Sequence, residues 1–234
     1  MKADLHIHTV LSPCGDIEMT PLHIVNKALE RGIGIIGITD HNSTLHTKDA
    51  RRIGEREGVY VMCGAEITTK EEVHVLAFVD GDDAIDTLQK FISDNLIKVP
   101  NDPDFFGYQL IVNEAEEVLG EEEYLLINAI DKTIEEVELF IRSLGGIFIP
   151  AHIDKAQNSL LSQLGFVPPH LNADALELSA KCDFDDFLAQ NSYLSGYKFI
   201  RSSDAHYLED VGSVFTDLNI GRSSFDLIRE AIHE

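Results

Sequence analysis

Two histidines stand two residues apart in DLHIHT, residues 4–9. In an extended strand residues i, i+2 and i+4 share a face. Asp4, His6 and His8 are therefore expected to point one way, and Leu5 and Ile7 the other. Imidazoles about 7 Å apart along a strand can converge on one cation, and Asp4 is placed to orient one of them. An edge strand with two exposed histidines would carry the same letters, so this segment alone leaves metal binding open.

Five further apolar segments carry the same kinds of residue. GITDHNS (37–43) ends an apolar run in Asp40 and His41, and MCGAEIT (62–68) ends one in Glu66. VHVLAF (73–78) holds His74 inside a run, GIFIPAHID (146–154) ends at His152, and KFIRSSDAHY (198–207) delivers Asp204 and His206. Each has a plainer reading by itself: Asp40 and Glu66 as turn or capping acids, His74 as a satisfied core histidine. Their agreement is the signal, because accidents would scatter such residues onto helices and loops. Together they offer six histidines and at least two carboxylates. That is too many donors for one ion, and nitrogen and oxygen without thiolate suit Zn²⁺, Mn²⁺ and Fe²⁺ alike. A cluster of two or three divalent metal ions is the economical expectation. His23, His170 and His233 are expected at the surface, and His46 is left out of the ligand set.

The elements that must position these residues follow from periodicity. Strands are predicted at 2–8, 34–40, 59–67, 73–79, 147–152, 174–179 and 197–203. Helical patterns lie between several of them. PLHIVNKALERG (21–32) has Thr20 as cap, Pro at the start and Gly past the end. TIEEVELFIRSLGG (133–146) begins at Thr133 and ends in glycines, and SSFDLIREAIHE closes the chain. Strand then helix, repeated, predicts an α/β fold with a largely parallel sheet, open or closed into a barrel. Polar residues at the C-terminal ends of such strands are where these folds keep their sites. The acidic stretch 81–132 breaks the rhythm and is read as an insertion in the main domain, able to form a lid over a pocket.

Composition narrows the function classes. The 234 residues carry 41 acidic against 18 basic side chains, a net charge of −23, and 44% are apolar. Such a surface repels phosphate backbones and anionic lipid, so long nucleic acid and membranes are not expected partners. Three scattered cysteines, Cys14, Cys63 and Cys182, without a CxxC pair fit a reducing compartment. With no apolar leader at the start, the expected location is cytoplasmic. Oligomeric state is left open.

The series DLHIHT, TDHN, GAEI, HVLAF, PAHID and SSDAH resembles the PHP (polymerase and histidinol phosphatase) family of metal-dependent phosphoesterases, in order and placement from residue 4 to 206. The resemblance implies a distorted (β/α)7 barrel, here one PHP domain over 1–234, with a trinuclear site in its mouth. It implies that His6 and His8 bind a first metal with Glu66 and Asp204, and that Glu66 bridges to a second held by His74 and His152. A third would take His41 and His206 with a residue of the loop after the first strand. That loop reads LSPCGDIE (11–18) where many family members have an SDG-like sequence; Asp16 is the candidate and Cys14 its rival. Asp40 is expected to stand behind the ligands, and Asp40 or His206 to assist the leaving oxygen. Lys155 and Arg201 are candidate phosphate contacts.

The implied reaction is hydrolysis of a small phosphorylated metabolite or nucleotide (histidinol phosphate, a nucleoside phosphate or a short oligonucleotide) by hydroxide bridging the metals. Two other readings stay open. One is a catalytically silent, metal-stabilised binding module, against which stand eight of nine filled ligand positions. The other is a C–N hydrolase of amidohydrolase type, against which stand the SSDAH and TDH segments.

Overall fold

The computed structural model describes residues 1–233; Glu234, the last residue of the expected closing helix, lies outside them. The chain runs β1 (Lys2–Ile7), α1 (Pro21–Glu30), β2 (Ile35–Ile38), α2 (Thr47–Glu57), β3 (Tyr60–Thr68) and β4 (His74–Val79). Then come α3 (Asp82–Asn95), α4 (Pro103–Phe106), β5 (Leu110–Val112), β6 (Val118–Glu121), α5 (Ile134–Ser143) and β7 (Ile147–Pro150). The last part holds α6 (Leu160–Leu164), β8 (Leu176–Leu178), α7 (Phe184–Gln190), β9 (Phe199–Arg201), β10 (Thr216–Asp217) and α8 (Phe225–His233). Thr20 caps α1 by accepting from the His23 amide, and Thr133 and Glu136 form a reciprocal capping box on α5.

Six strands pair in the order β10-β1-β2-β3-β4-β7, and β8 pairs with β9 in parallel. Backbone bonds link the sheets on both sides: Ile153 N–H to Glu177 C=O and Asp174 N–H to Phe148 C=O, each at 2.9 Å, and His8 N–H to Ala205 C=O at 3.0 Å and Ala205 N–H to His6 C=O at 3.2 Å. The seven strands β1, β2, β3, β4, β7, β8 and β9 thus curl into an incompletely bonded barrel. β4 runs antiparallel to both neighbours. Its first residue, His74, therefore lands at the same mouth as the last residues of β2 and β7.

Inside the barrel Ala3, Leu5, Ile35, Met62, Leu76, Phe78, Ile147, Ile149 and Ile200 form a closed apolar plug. Two outer clusters seat the helices. Ile24, Val25 and Ala28 of α1 and Ala50 and Ile53 of α2 meet Ile36, Ile38 and Val61. Ile134, Val137 and Ile141 of α5 meet Val75, Ala77 and Phe148.

One strand departs from the expected parity. Along β1, Asp4 pairs with Ile36 but Ile7 with Ile38, so β1 spends one residue more than β2. Such a bulge turns the following side chains to the opposite side. Leu5 consequently faces the barrel interior and Ile7 the outer layer, although both were expected on one face. Asp4 parts from His6 and His8: its carboxylate accepts from the Ser203 amide and hydroxyl and from the Gly212 amide. Gly37 of β2 makes room, since a Cβ there would collide with the Leu5 carbonyl oxygen.

Segment 81–132 divides in two. α3 presents Ile85, Leu88 and Ile92 at helical spacing to the outer cluster and packs as a barrel helix. The remainder holds α4 and the β5–β6 hairpin and bonds to the loops at the mouth. Asn42 Nδ2 donates to the Leu126 and Asn128 carbonyls, both at 2.7 Å, and Leu110 N–H donates to Val10 C=O at 3.2 Å.

Candidate metal centre

His6, His8, His41, Glu66, His74 and His152 are all buried, in a chain where imidazole and carboxylate usually face water. Glu66 is the hub. Its Oε1 lies 2.8 Å from His74 Nδ1, 3.0 Å from His152 Nε2 and 3.4 Å from His6 Nε2. Its Oε2 lies 3.1 Å from His41 Nδ1 and 3.3 Å from His8 Nε2. Asp204 Oδ1 stands 3.4 Å from His6 Nε2 and 3.5 Å from His8 Nε2. The His206 ring stacks on that of His8 with centroids 4.2 Å apart.

The residue types and their aim fit divalent cations. His6 Nε2 and His8 Nε2 face each other at 3.1 Å, and the nearby His41 Nδ1 makes no hydrogen bond despite its burial. Groups that close, and that poorly matched as hydrogen-bond partners, converge on shared points. Among the described residues three sets have donor atoms mutually within 4.8 Å: His6, His8 and Glu66; His41, Glu66 and His74; and His8, His41 and His206. The field has the matching sign. Burial opposes charge on Glu66, yet His74, His6 and His41 hold it well below the usual carboxylate range. Burial likewise opposes a proton on His6, but Glu177, Asp204 and Glu66 hold it well above the usual imidazole range. Burial and the neighbouring His8 push His206 down to about 3, leaving a neutral imidazole at the mouth.

Two positions of the cluster carry unusual backbone. His152 has φ 29° and Asp204 φ 54°, and Asn42, next to His41, has φ 45°. Positive φ in residues other than glycine concentrates where a site overrules local preference.

A second ring of side chains holds the first. His6 Nδ1 lies 2.9 Å from Glu177 Oε2, which also accepts from the His152 amide at 3.0 Å. Glu177 thus fills the orienting place expected of Asp4. Its signal was present in LEL: a carboxylate between two apolar strand residues, as legible as His74. Asp40 accepts from the Thr9 amide at 2.7 Å, the Thr9 hydroxyl at 2.8 Å and the Ser12 hydroxyl at 2.7 Å. Ser12 Oγ in turn lies 3.1 Å from His8 Nδ1. His46, left out of the ligand set, is buried: Nε2 accepts from the Val112 amide at 3.0 Å, so Nδ1 carries the proton and donates to Thr9 Oγ1 at 2.6 Å. A continuous chain therefore runs from the β5 backbone through His46, Thr9, Asp40 and Ser12 to His8.

Two expected residues, Asp16 and Arg201, sit apart from the cluster. Asp16 stays outside the three sets: its carboxylate accepts from the Glu18 amide at 2.9 Å, in a short turn that competes for it. The Cys14 thiol instead lies against His41. The Arg201 guanidinium donates to the Ala180 carbonyl at 2.7 Å, and Arg201 is not among the residues that line the mouth. Lys155 does reach the mouth, where Nζ pairs with Asp204 Oδ2. It lines a cleft of about 200 Å³ over the cluster together with Gln157 and Asn158.

A barrel with a polyhistidine mouth defines the class, and comparison with known proteins supplies the family. The PHP domain profile matches residues 4–156 and the PHP-associated profile residues 194–234. The chain belongs to the PHP family. An uncharacterized protein of Methanocaldococcus jannaschii is 36% identical over 90 residues, 35% of this chain and 53% of that protein. The phosphoribosyl 1,2-cyclic phosphate 1,2-diphosphodiesterase of Eggerthella lenta is 33% identical over 81 residues, 32% of this chain and 30% of that enzyme. The chain thus spans about half the length, or less, of these curated relatives. Among solved structures, the lesion-specific endonuclease PfuEndoQ from Pyrococcus furiosus superposes with TM-score 0.75 at 19% identity, over 99% of this chain and 55% of that one. Endonuclease Q bound to a 27-mer duplex, with an abasic lesion at its active site, superposes with TM-score 0.71 at 20% identity, over 99% of this chain and 56% of that one.

The duplex complex corrects the expectation that long nucleic acid is an unlikely partner: endonuclease Q, of similar fold, is bound to a 27-mer duplex, so net charge does not decide the matter. Total charge sets the far field, whereas bound cations set the field at a metal mouth. Among the described residues no helix is long and apolar enough to cross a membrane.

Proposed function

We propose that this chain hydrolyses a phosphoester at a centre of two to three divalent ions. His6, His8, Glu66 and Asp204 would hold one ion, Glu66, His74 and His152 a second, and His41 and His206, with His8 alongside, a third. The observation that carries the reading is the convergence on Glu66 of five imidazoles from β1, the ends of β2 and β7, and the start of β4. Ions bound there would make hydroxide available near neutral pH and offset charge building on the phosphoryl oxygens. Zn²⁺, Mn²⁺ and Fe²⁺ all suit the donors.

The protein's own groups do the rest. Glu177 fixes the His6 ring, and Asp40 fixes His8 through Ser12, so Asp40 acts on the reaction through its neighbours. His206 is held neutral with Nδ1 2.9 Å from the Asp204 carbonyl, so its Nε2 lone pair is available to an ion or to accept a proton. Lys155 brings an ammonium to a wall otherwise made of ligands and amides, where it can meet a phosphoryl oxygen. The names of the relatives span a cyclic phosphodiester and damaged DNA, so monoesters and diesters both belong among the substrates to try.

The test is product formation, read as phosphate or nucleotide release, ring opening or strand cleavage, after reconstitution with Mn²⁺, Fe²⁺ or Zn²⁺ separately. The panel holds histidinol phosphate, nucleoside 5′- and 3′-phosphates, sugar phosphates, a cyclic phosphodiester, a short oligonucleotide and a duplex with an abasic site. One compound should exceed the rest by about 10²-fold in kcat/KM, about 3 kcal/mol in the transition state. No release from any compound with any metal would overturn the reading.

A further inference from the structure

Beside the metal mouth lies a second cleft of about 310 Å³, walled by the loop after β1 and by the segment before β5. That volume suffices for a small ligand. Two tyrosines face it, Tyr108 and Tyr207. Each is 58% exposed, and among the described residues neither stacks on another aromatic ring. Large aromatic rings left at a surface in one cleft are unspent contact area.

The cleft is built and adjoins the mouth through the neighbours His206 and Tyr207. Gly107 has φ +99°, and a Cβ there would collide with the Pro13 carbonyl, so only glycine lets this segment close onto the loop. The Asp16 amide donates to the His206 carbonyl at 2.9 Å, and Tyr207 is the next residue in the chain. Cys14 lines the cleft and lies against His41 in the cluster. The charge of the wall selects among ligands. Asp16 is its one charged lining residue, and no lysine or arginine lines it. A second phosphate would be repelled there, whereas a neutral planar ring with N–H donors is matched by a carboxylate and two ring faces.

Resting on the phosphoesterase reading, we infer that the cleft between Tyr108 and Tyr207 holds the nucleobase of a nucleotide whose phosphate sits at the metal centre. The base stacks on the tyrosines, and its exocyclic amine faces Asp16. The segment carrying Tyr108 thereby sets substrate preference and does not serve as cover alone.

The test separates binding from turnover. The metal-loaded full chain is titrated calorimetrically with the phosphonate analogues of adenosine 5′-phosphate and of ribose 5-phosphate, whose P–C bond is not a hydrolysable ester. The adenosine analogue should bind about tenfold or more tighter, as expected for one stacked base. Tyr108→Ala and Tyr207→Ala should each remove most of that preference, and Tyr108→Phe should keep it, which a merely structural role for the hydroxyl or backbone would not produce. Equal binding of the two analogues, or a preference that survives both alanine variants, overturns the inference. Phosphate release from the natural esters is measured in parallel. If the preference holds while no compound of the full panel is cleaved with any metal, the base site stands and the phosphoesterase reading fails.

Discussion

The two ends of the barrel interior use the same strands for opposite purposes. In the plug, Leu5, Ile35, Met62, Leu76, Phe78 and Ile149 fill the space with apolar volume and no polar atom to satisfy. A few residues along, His6, Glu66, His74 and His152 crowd buried polar atoms together, with left-handed backbone at His152 and Asp204. The plug gains stability by excluding water. The mouth spends stability, because buried ionisable groups are costly unless something pairs with them. The comparison teaches that one set of strands can carry both, provided the strain is confined to strand ends and a bulge.

Breaking the plug should give the largest effect on folding. Phe78 is fully buried, so Phe78→Ala should cost about 3–5 kcal/mol and lower Tm by roughly 10 °C. Metal content per folded molecule should be unchanged; a drop would show that the two regions are not separable. Loading the mouth should act with similar size in the other direction. At about a thousandfold excess over Kd, each ion adds about 4 kcal/mol, read as a higher Tm over the chelator-treated protein. The sign of the pH dependence follows from the imidazoles. Burial lowers the proton affinity of His6, His8 and His41, but the facing carboxylates overcome it and raise all three, His41 to about 9. The metal-free cluster therefore holds protons at pH 7 that an ion must displace. Affinity should rise with pH and fall in acid, and calorimetry in buffers of different ionisation enthalpy should show proton release.

Glu177 tests the supporting ring. Glu177→Gln keeps the shape but removes the charge facing His6 Nδ1. Metal affinity or activity should fall by about 10–100-fold with Tm of the metal-free protein little changed. An unaltered affinity would mean that packing alone fixes the His6 ring.

Much of this mouth was legible in the letters, and the exceptions have physical causes. His41 and His152 sit just past strand ends and Glu66 two residues before one, so apolar runs announce them. The seven strands were legible for the same reason. The sides taken by Asp4, Leu5 and Ile7 were not, because period-2 reasoning assumes an unbroken ladder and β1 contains an extra residue opposite Gly37. Asp16 lies outside the three sets because a short acidic side chain can satisfy the backbone of its own turn. Arg201 lies off the mouth because adjacency to SSDAH does not fix which way a strand side chain points. Long nucleic acid was discounted from a whole-chain sum that does not see a local cleft.

The smallest effects come from the two cations that sequence placed together and the fold separates. Lys155 pairs with Asp204 at the mouth, and Arg201 bonds the Ala180 carbonyl away from it. Lys155→Ala removes a charged contact worth about 1.5–3 kcal/mol when made to an ionised partner, so kcat/KM should fall by about tenfold or more with metal content intact. Arg201→Ala should leave kcat/KM within about twofold and cost only about 1 kcal/mol of stability for its lost backbone bond. The pair is decisive because net charge changes equally in both. If both variants lose activity alike, the long-range field of a chain at −23 governs substrate capture and neither side chain acts by contact. If Lys155→Ala alone loses it, the ammonium acts at the phosphoryl group, and the Lys155–Asp204 pair is the state from which substrate draws it.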